Sequence, residues 1–169
     1  MRSRINRPAC GLALAISLSL WPQSAQAHQV QTSLSPAPCS SISSNWYFVG
    51  YAALSHTSSS QIAWNAIVYT KTGCALSESN IVVWPAGYMR VTGTLQHWTP
   101  DYGWSNCVNG TWGYNTAAVR YQAWMPTKYS ISLKPCGSGS YRDRLIAQYK
   151  SGSTWITTLT AYTPTHTFT

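Results

Sequence analysis

The stretch Gln61–Lys71, QIAWNAIVYTK, changes character at every second residue. Ile62, Trp64, Ala66 and Val68 share one side, and Ala63, Asn65, Ile67 and Tyr69 share the other. Successive side chains of an extended chain point to opposite faces, so this period specifies a strand and not a helix with one apolar stripe. The same reading applies to Trp46–Leu54, Tyr88–Gln96, Ala117–Trp124, Tyr129–Leu133, Tyr141–Tyr149 and Trp155–Tyr162. Ile81–Trp84 is a brief apolar run ended by Pro85. These segments are rich in Thr, Val, Ile, Tyr and Trp, which suit a pleated surface. Turns are expected in SHTSSSQ, near Met125-Pro126-Thr127-Lys128, and in Lys150–Trp155, KSGSTW. No segment carries a sustained helical stripe.

The expected fold is a single all-β domain, an antiparallel β-sandwich or barrel of about eight strands. It is immunoglobulin-like only in the loose sense. That pattern places a Tyr two residues before its second Cys, whereas Thr72 and Lys134 stand at that offset from Cys74 and Cys136.

The N-terminus has a separate logic. Arg2, Arg4 and Arg7 precede the apolar run Cys10–Trp21, which is too short to span a bilayer, and Ala25-Gln26-Ala27 offers a small-x-small cleavage site. Residues 1–27 read as a secretory signal peptide. Residues 28–44 form a Ser/Pro-rich extended leader and 45–169 the all-β domain. No second run long enough to cross a membrane follows, so the expected product is secreted, extracellular or periplasmic.

Without residues 1–27 the chain keeps four cysteines: Cys39, Cys74, Cys107 and Cys136. An even number in an exported chain implies two disulfides, and no CxxC pair suggests zinc. If Trp46–His56 and Gln61–Lys71 form a hairpin, Cys39 and Cys74 both lie beyond its open end. A hairpin turning at Met125–Lys128 would do the same for Cys107 and Cys136. The expected bridges are therefore Cys39–Cys74 and Cys107–Cys136.

Charge restricts the partners. The whole chain carries +8, but removal of the three leading arginines leaves eight basic residues against Glu78, Asp101 and Asp143, a net of +5. The basic residues are scattered singly. Nucleic-acid recognition wants a dense basic stripe, and none is visible. Charged residues are only 8% of the chain, far below the usual quarter, which points to a neutral ligand.

Catalysis has little to draw on. A glycosidase needs two carboxyls facing one bond. Asp101 sits in the turn sequence TPDYG, Glu78 in the polar turn ALSESN, and Asp143 between Arg142 and Arg144, where a strand-face ion pair is expected. Cysteines held in disulfides are not nucleophiles, and no Gly-x-Ser-x-Gly elbow is present. The sequence points to binding rather than to an enzyme, with no cofactor. One alternative resembles the secreted copper polysaccharide monooxygenases. These share an exposed N-terminal His and a disulfide-stapled β-sandwich. The resemblance implies His28 as first copper ligand with His97 or His56 as second.

The residues that carry the functional expectation lie in His97–Tyr114, HWTPDYGWSNCVNGTWGY. Gly, Pro and Asn suggest a loop, while Trp98, Tyr102, Trp104, Trp112 and Tyr114 are large amphipathic rings. Eight Trp remain after residue 27, and Phe is scarce beside eleven Tyr. A core chosen for packing alone would favour Phe, Leu and Ile, so some of these rings should be exposed. Exposed rings among amides and hydroxyls suit a sugar, whose apolar face stacks while its hydroxyls accept and donate hydrogen bonds. The leading expectation is a module binding a neutral glycan or cell-wall polysaccharide. Its candidate contacts are Trp98, Tyr102, Trp104, Trp112 and Tyr114, with Asn106, Asn109 and, from a neighbouring strand, Trp124. The alternative is an effector or inhibitor that meets a membrane or a protein partner through the same rings.

Overall fold

A computed structural model of the chain describes residues 31–33, 37–58, 61–75 and 80–168. The signal-like segment, His28 and Glu78 lie outside these residues. The described chain is all-β. Its strands are β1 (Gln31–Ser33), β2 (Cys39–Ser43), β3 (Trp46–Ser58), β4 (Gln61–Lys71), β5 (Met89–Thr99), β6 (Gly103–Asn109), β7 (Gly113–Tyr114), β8 (Gln122–Tyr129), β9 (Gly139–Ser151), β10 (Thr154–Tyr162) and β11 (His166–Phe168). Among the described residues no helix is long and apolar enough to cross a membrane.

Two antiparallel sheets pack face to face. One has the order β1-β3-β4-β8 with β2 also on β3; the other has β10-β9-β5-β6 with β11 on β9 and β7 on β5. The strands number eleven rather than about eight because three edges are broken. β1 and β2 lie successively along one edge of β3, β10 and β11 along one edge of β9, and β6 and β7 along one edge of β5. The segments thus fill four positions in each sheet. The stretch read as a leader supplies the edge of β3.

Alternation sets which side chains meet between the sheets. Phe48, Leu54, Ile62, Trp64 and Val68 from one sheet pack with Met89, Val91, Leu95, Tyr141 and Leu145 from the other. Burying one such side chain stabilises by roughly 1.5–3 kcal/mol relative to leaving it exposed. The Trp64 indole donates to the Gly93 carbonyl at 3.3 Å, so the largest inward ring leaves no orphan donor. Turns follow their residues. Thr99↔Gly103 closes the β5–β6 hairpin over Pro100, Asp101 and Tyr102, with Gly103 at φ 63, as a three-residue connection requires.

Both disulfides form as expected, Cys39–Cys74 and Cys107–Cys136, with Cα separations of 5.5 and 5.9 Å. The geometric premise for the second is wrong. Met125–Lys128 is not a turn but part of β8, which continues to Tyr129. The register slips there, with Ala66↔Met125 followed by Trp64↔Lys128. Pro126 lacks an amide hydrogen and is accommodated in this irregularity on an edge strand. The strands expected at Ala117–Trp124 and Tyr129–Leu133 reduce to this one strand. Thr116 and Val119 instead close a turn on themselves, in which the Val119 amide donates to Thr116 Oγ1 at 3.0 Å. Ile81–Trp84 forms an isolated bridge to Lys71 rather than a strand, and sends Val82 and Trp84 into the core.

Asn115 is an unforeseen structural hub. Its Oδ1 accepts from the Tyr88 and Met89 amides, both at 3.1 Å. Its Nδ2 donates to the Pro85 and Arg120 carbonyls at 2.9 and 3.2 Å. One buried amide therefore joins the segment entering β5 to the segment entering β8.

Asp143 departs furthest from expectation. On β9 the odd residues face inward, so Asp143 is fully buried while Arg142 and Arg144 point the other way, and the expected ion pair does not form. Both its carboxylate oxygens lack a hydrogen-bond partner. It fits because residue 93 is glycine; a Cβ there would sit 2.7 Å from Asp143 Oδ2. Burial pushes its pKa well above the ordinary carboxylate range, and the Thr94 backbone and Arg144 offset this only in part. A raised folded-state pKa means that the stability linked to this group is full below the unfolded value of about 3.9. It falls as pH rises from there toward the folded pKa. Asp143→Asn should therefore raise the melting temperature at pH 7.5 by several degrees and leave it nearly unchanged at pH 3. Thermal unfolding at both values checks this, and a lower melting temperature at pH 7.5 would contradict the assignment.

Candidate functional site

The aromatic stretch is not a loop. It is the end of β5, the hairpin tip, β6 and β7, and it gathers on the outer face of the six-stranded sheet. The β5–β9 register pairs Arg90 with Gln148, Thr94 with Arg144, Gln96 with Arg142 and Trp98 with Ser140, and all of these face away from the core. On the neighbouring strand Trp104 pairs with Trp98, Asn106 with Gln96 and Asn109 with Thr94. Tyr114 on β7 pairs with Arg90. Six of the eight ligand contacts expected from sequence thus share this face: Trp98, Trp104, Asn106, Asn109, Tyr114 and, through its contact with Arg90, Trp112. Tyr102 stands at the hairpin tip beside it. Trp124 does not join them. It pairs with Ile67 on the outward side of the five-stranded sheet, across the sandwich.

The rings are organised by arginine. The Arg142 guanidinium carbon lies 4.1 Å from the Trp104 ring centre and 4.0 Å from that of Tyr162. Arg90 lies 4.0 Å from Trp112 and 4.1 Å from Trp155. Each arginine projects from a strand between those that carry its two rings, so each guanidinium is sandwiched. Arg142 Nε donates to Gln96 Oε1 at 2.9 Å, and Gln96 Nε2 donates to Asn106 Oδ1 at 3.2 Å. Arg90 Nε donates to Gln148 Oε1 at 2.7 Å, and Gln148 Nε2 to Thr157 Oγ1 at 2.8 Å. Both arginines are thus held by stacking on two sides and by one amide. The pKa of Arg142 is lowered, first by burial and then by the like charge of Arg144, against the opposing effect of Tyr162.

Exposure separates the rings into two groups. Trp104 and Trp112 are half-buried under their arginines. Trp98 is 42% exposed, Tyr114 45% and Tyr102 84%. Asn106 and Asn109 are exposed. Sequence reasoning missed Trp155, Tyr162, Arg90 and Arg142. Alternation places Arg90 on β5 and Arg142 on β9 outward, whereas Trp155 and Tyr162, of opposite parity on β10, reach that face only through the irregularity between Thr157 and Leu159, and strand order brings all four together.

The other candidates are dispersed. His97 is buried against Tyr141, with ring centres 4.7 Å apart, and its Nε2 lies 3.2 Å from the Ser138 carbonyl. A nitrogen facing a carbonyl is a donor, so this nitrogen is not a metal ligand. His56 instead approaches His166, at 5.6 Å between ring centres, near Phe168. Among the described residues no group of three or more His, Cys, Asp or Glu converges to hold a metal. Asp101 sits exposed in the hairpin turn and Asp143 is buried beneath the sheet, so these two carboxyls do not flank a common bond.

One concavity was not anticipated. A cleft of about 680 Å³ opens on the five-stranded sheet, lined by Tyr51, Ile67, Tyr69, Lys71, Ile81, Tyr121 and Gln122. Burial and the nearby Tyr121 raise the Tyr69 pKa. Tyr121 enters this cleft because it precedes β8 in a turn, instead of lying within the strand expected there.

No family model matches this chain, and neither a curated protein nor a solved structure does.

A sandwiched guanidinium should couple energetically to its rings. In a double-mutant cycle of Trp104→Ala with Arg142→Ala, chemical denaturation should return a coupling of about 1 kcal/mol. Additivity of the two changes would show the stack to be geometric only.

Proposed function

We propose that this protein is an exported carbohydrate-binding module whose binding surface is the outer face of the six-stranded sheet. The observation that carries the proposal is the convergence there of Trp98, Trp104, Asn106, Asn109 and Tyr114, beside Tyr102. Exposed rings next to amides and hydroxyls match the two surfaces of a sugar, its apolar face and its rim of hydroxyl groups. Sites of this kind are commonly placed on loops and strands held by a rigid scaffold, and here two disulfides and a β-sandwich provide it.

The half-buried rings are less suited to direct stacking than sequence alone suggested, because a guanidinium already covers one face of each. Trp98 and Tyr102 are the rings expected to lie on the ligand. Retention on a panel of insoluble neutral and anionic polysaccharides tests this directly. Trp98→Ala and Tyr102→Ala should each weaken binding by about 10-fold, equivalent to roughly 1.4 kcal/mol. Trp124→Ala on the opposite sheet should have no effect. Loss of binding in Tyr121→Ala with Trp98→Ala intact would move the site to the tyrosine cleft and overturn the proposal.

Export is supported by the tripartite pattern in residues 1–27 and by two disulfides, which form and persist in oxidising compartments. The mass of the product recovered outside the cytoplasm should correspond to a chain beginning at His28. Recovery of an intact residue 1 would contradict it.

A further inference from the structure

We infer that the polysaccharide bound by this face is anionic, with carboxylate groups on its sugar units. The inference rests on the carbohydrate reading above and specifies its ligand. The scarcity of charge along the chain suggested a neutral ligand, but the fold does not spread that charge evenly. Arg90, Arg142, Arg144 and Lys150 lie on or beside the outward rows of β5 and β9. Asp143, the acid that sequence places between two of these arginines, is turned into the core. Among the described residues Asp101 is the one acidic side chain at the surface, and it sits in the hairpin turn. The face is therefore cationic with almost no internal counter-charge.

The arginines are also presented in a particular way. Contact with two rings restrains each guanidinium, and the Gln96 or Gln148 amide oxygen accepts from its Nε. What remains is the terminal pair of nitrogens at the outer end of a rigid planar group. A planar fork of this kind donates two parallel hydrogen bonds to a planar carboxylate. Because the side chain is already ordered, less rotamer entropy is lost on binding.

Spacing indicates a polymer. Arg142 pairs with Gln96, and Arg90 lies six residues along the same strand. At about 3.3 Å per residue the backbone positions that carry the two forks stand roughly 20 Å apart, with Arg144 between them. A monosaccharide does not bridge that distance, whereas a chain of several sugar units does. Affinity should consequently rise with oligomer length, as a second contact becomes intramolecular. Single-stranded nucleic acid is a poorer fit, since base stacking needs open ring faces and four of these rings are covered by guanidinium on one side.

The test measures binding of the full oxidised chain to a polyuronate, to a neutral polysaccharide, to single-stranded DNA and to vesicles of anionic phospholipid. Uronate oligomers of increasing length and two salt concentrations complete it. Binding to the polyuronate is expected to exceed that to the neutral polymer by at least 10-fold. It should strengthen with length and weaken several-fold between 50 and 300 mM salt, across which the screening length shortens about 2.4-fold. Arg142→Lys keeps the charge but removes the fork, and should weaken binding about 10-fold while the protein stays folded at the assay temperature, its melting temperature lowered by only a few degrees by loss of the stack. Arg144→Gln, which disturbs no stack, guards against a folding artefact and should weaken it several-fold. Equal or tighter binding to a neutral polymer, lost in Trp98→Ala, overturns the anionic ligand while the carbohydrate reading stands. Equal binding to DNA or vesicles overturns it as generic polyanion attraction. Retention by no polysaccharide overturns both.

Discussion

The pairing of β5 with β9 is the constraint on which the rest of this structure depends. From Met89↔Tyr149 to Trp98↔Ser140 the two strands stay in unbroken register. That register sends Val91, Leu95, Tyr141 and Leu145 into the core and Arg90, Arg142 and Arg144 to the outer face. A slip of one residue would exchange these sets, burying three arginines and exposing the central apolar rows. Because the penalty for that exchange is many times the worth of any single contact, the core and the candidate binding face are specified together. The remaining strands add to this pair: β10 and β6 extend the sheet on either side and, with Trp112 just before β7, supply the rings that flank the arginines.

The same face is unusual in what it does with its aromatics. Trp and Tyr on a sheet surface would ordinarily be an aggregation hazard. Here four of the rings are tied down by cations, each stack worth roughly 0.5–1 kcal/mol at an exposed site. The arrangement keeps the strands bound side to side across the outer surface as the apolar residues bind them across the inner one. Trp98, Tyr102 and Tyr114 are the rings of this face without such a cation among the stacks described, and Tyr114 meets Trp155 edge-on instead. The exposed edges are short or interrupted, and Pro126 breaks the regularity of β8 at the margin of the other sheet.

Much of the fold was legible because one face of most strands is buried and the period of two survives in the sequence. β4, β9 and β10 were read nearly to their ends, and the two disulfides were paired correctly. Errors concentrated where a local signal has two meanings. Pro126 marks a turn in most contexts and a bulge on an edge strand in this one, so a strand was cut in two. Gly103, Gly110 and Gly113 suggested a loop, yet Gly103 supplies a hairpin φ of 63, while a Cβ at Gly110 or Gly113 would strike the backbone of Gly93 or Trp124. Asp143 beside two arginines suggested an ion pair, but neighbours on a strand face opposite ways. The aromatic segment was recognised as the site for its composition. Its partners Arg90, Arg142, Trp155 and Tyr162 were not, since their convergence depends on strand order and no periodicity encodes that.

Asp143 and Arg142 can be understood as one consequence of alternation on β9. A carboxyl at position 143 has only the core available, and Gly93 provides the space for it at a cost to stability that grows with pH. An acid placed instead at 142 or 144 would lie among the stacked rings and neutralise the arginine forks it adjoined. Turning the single acid of β9 inward leaves the outer rows of that strand and of β5 with basic and neutral groups only. A protein selected for stability alone would gain by replacing Asp143 with an apolar residue, and nothing on the outer face would change. The buried carboxyl is therefore not what creates the cationic surface. What creates it is the absence of acids from outward positions across both central strands, a property of the whole face rather than of one residue, and this is the pattern a polyanionic ligand would read.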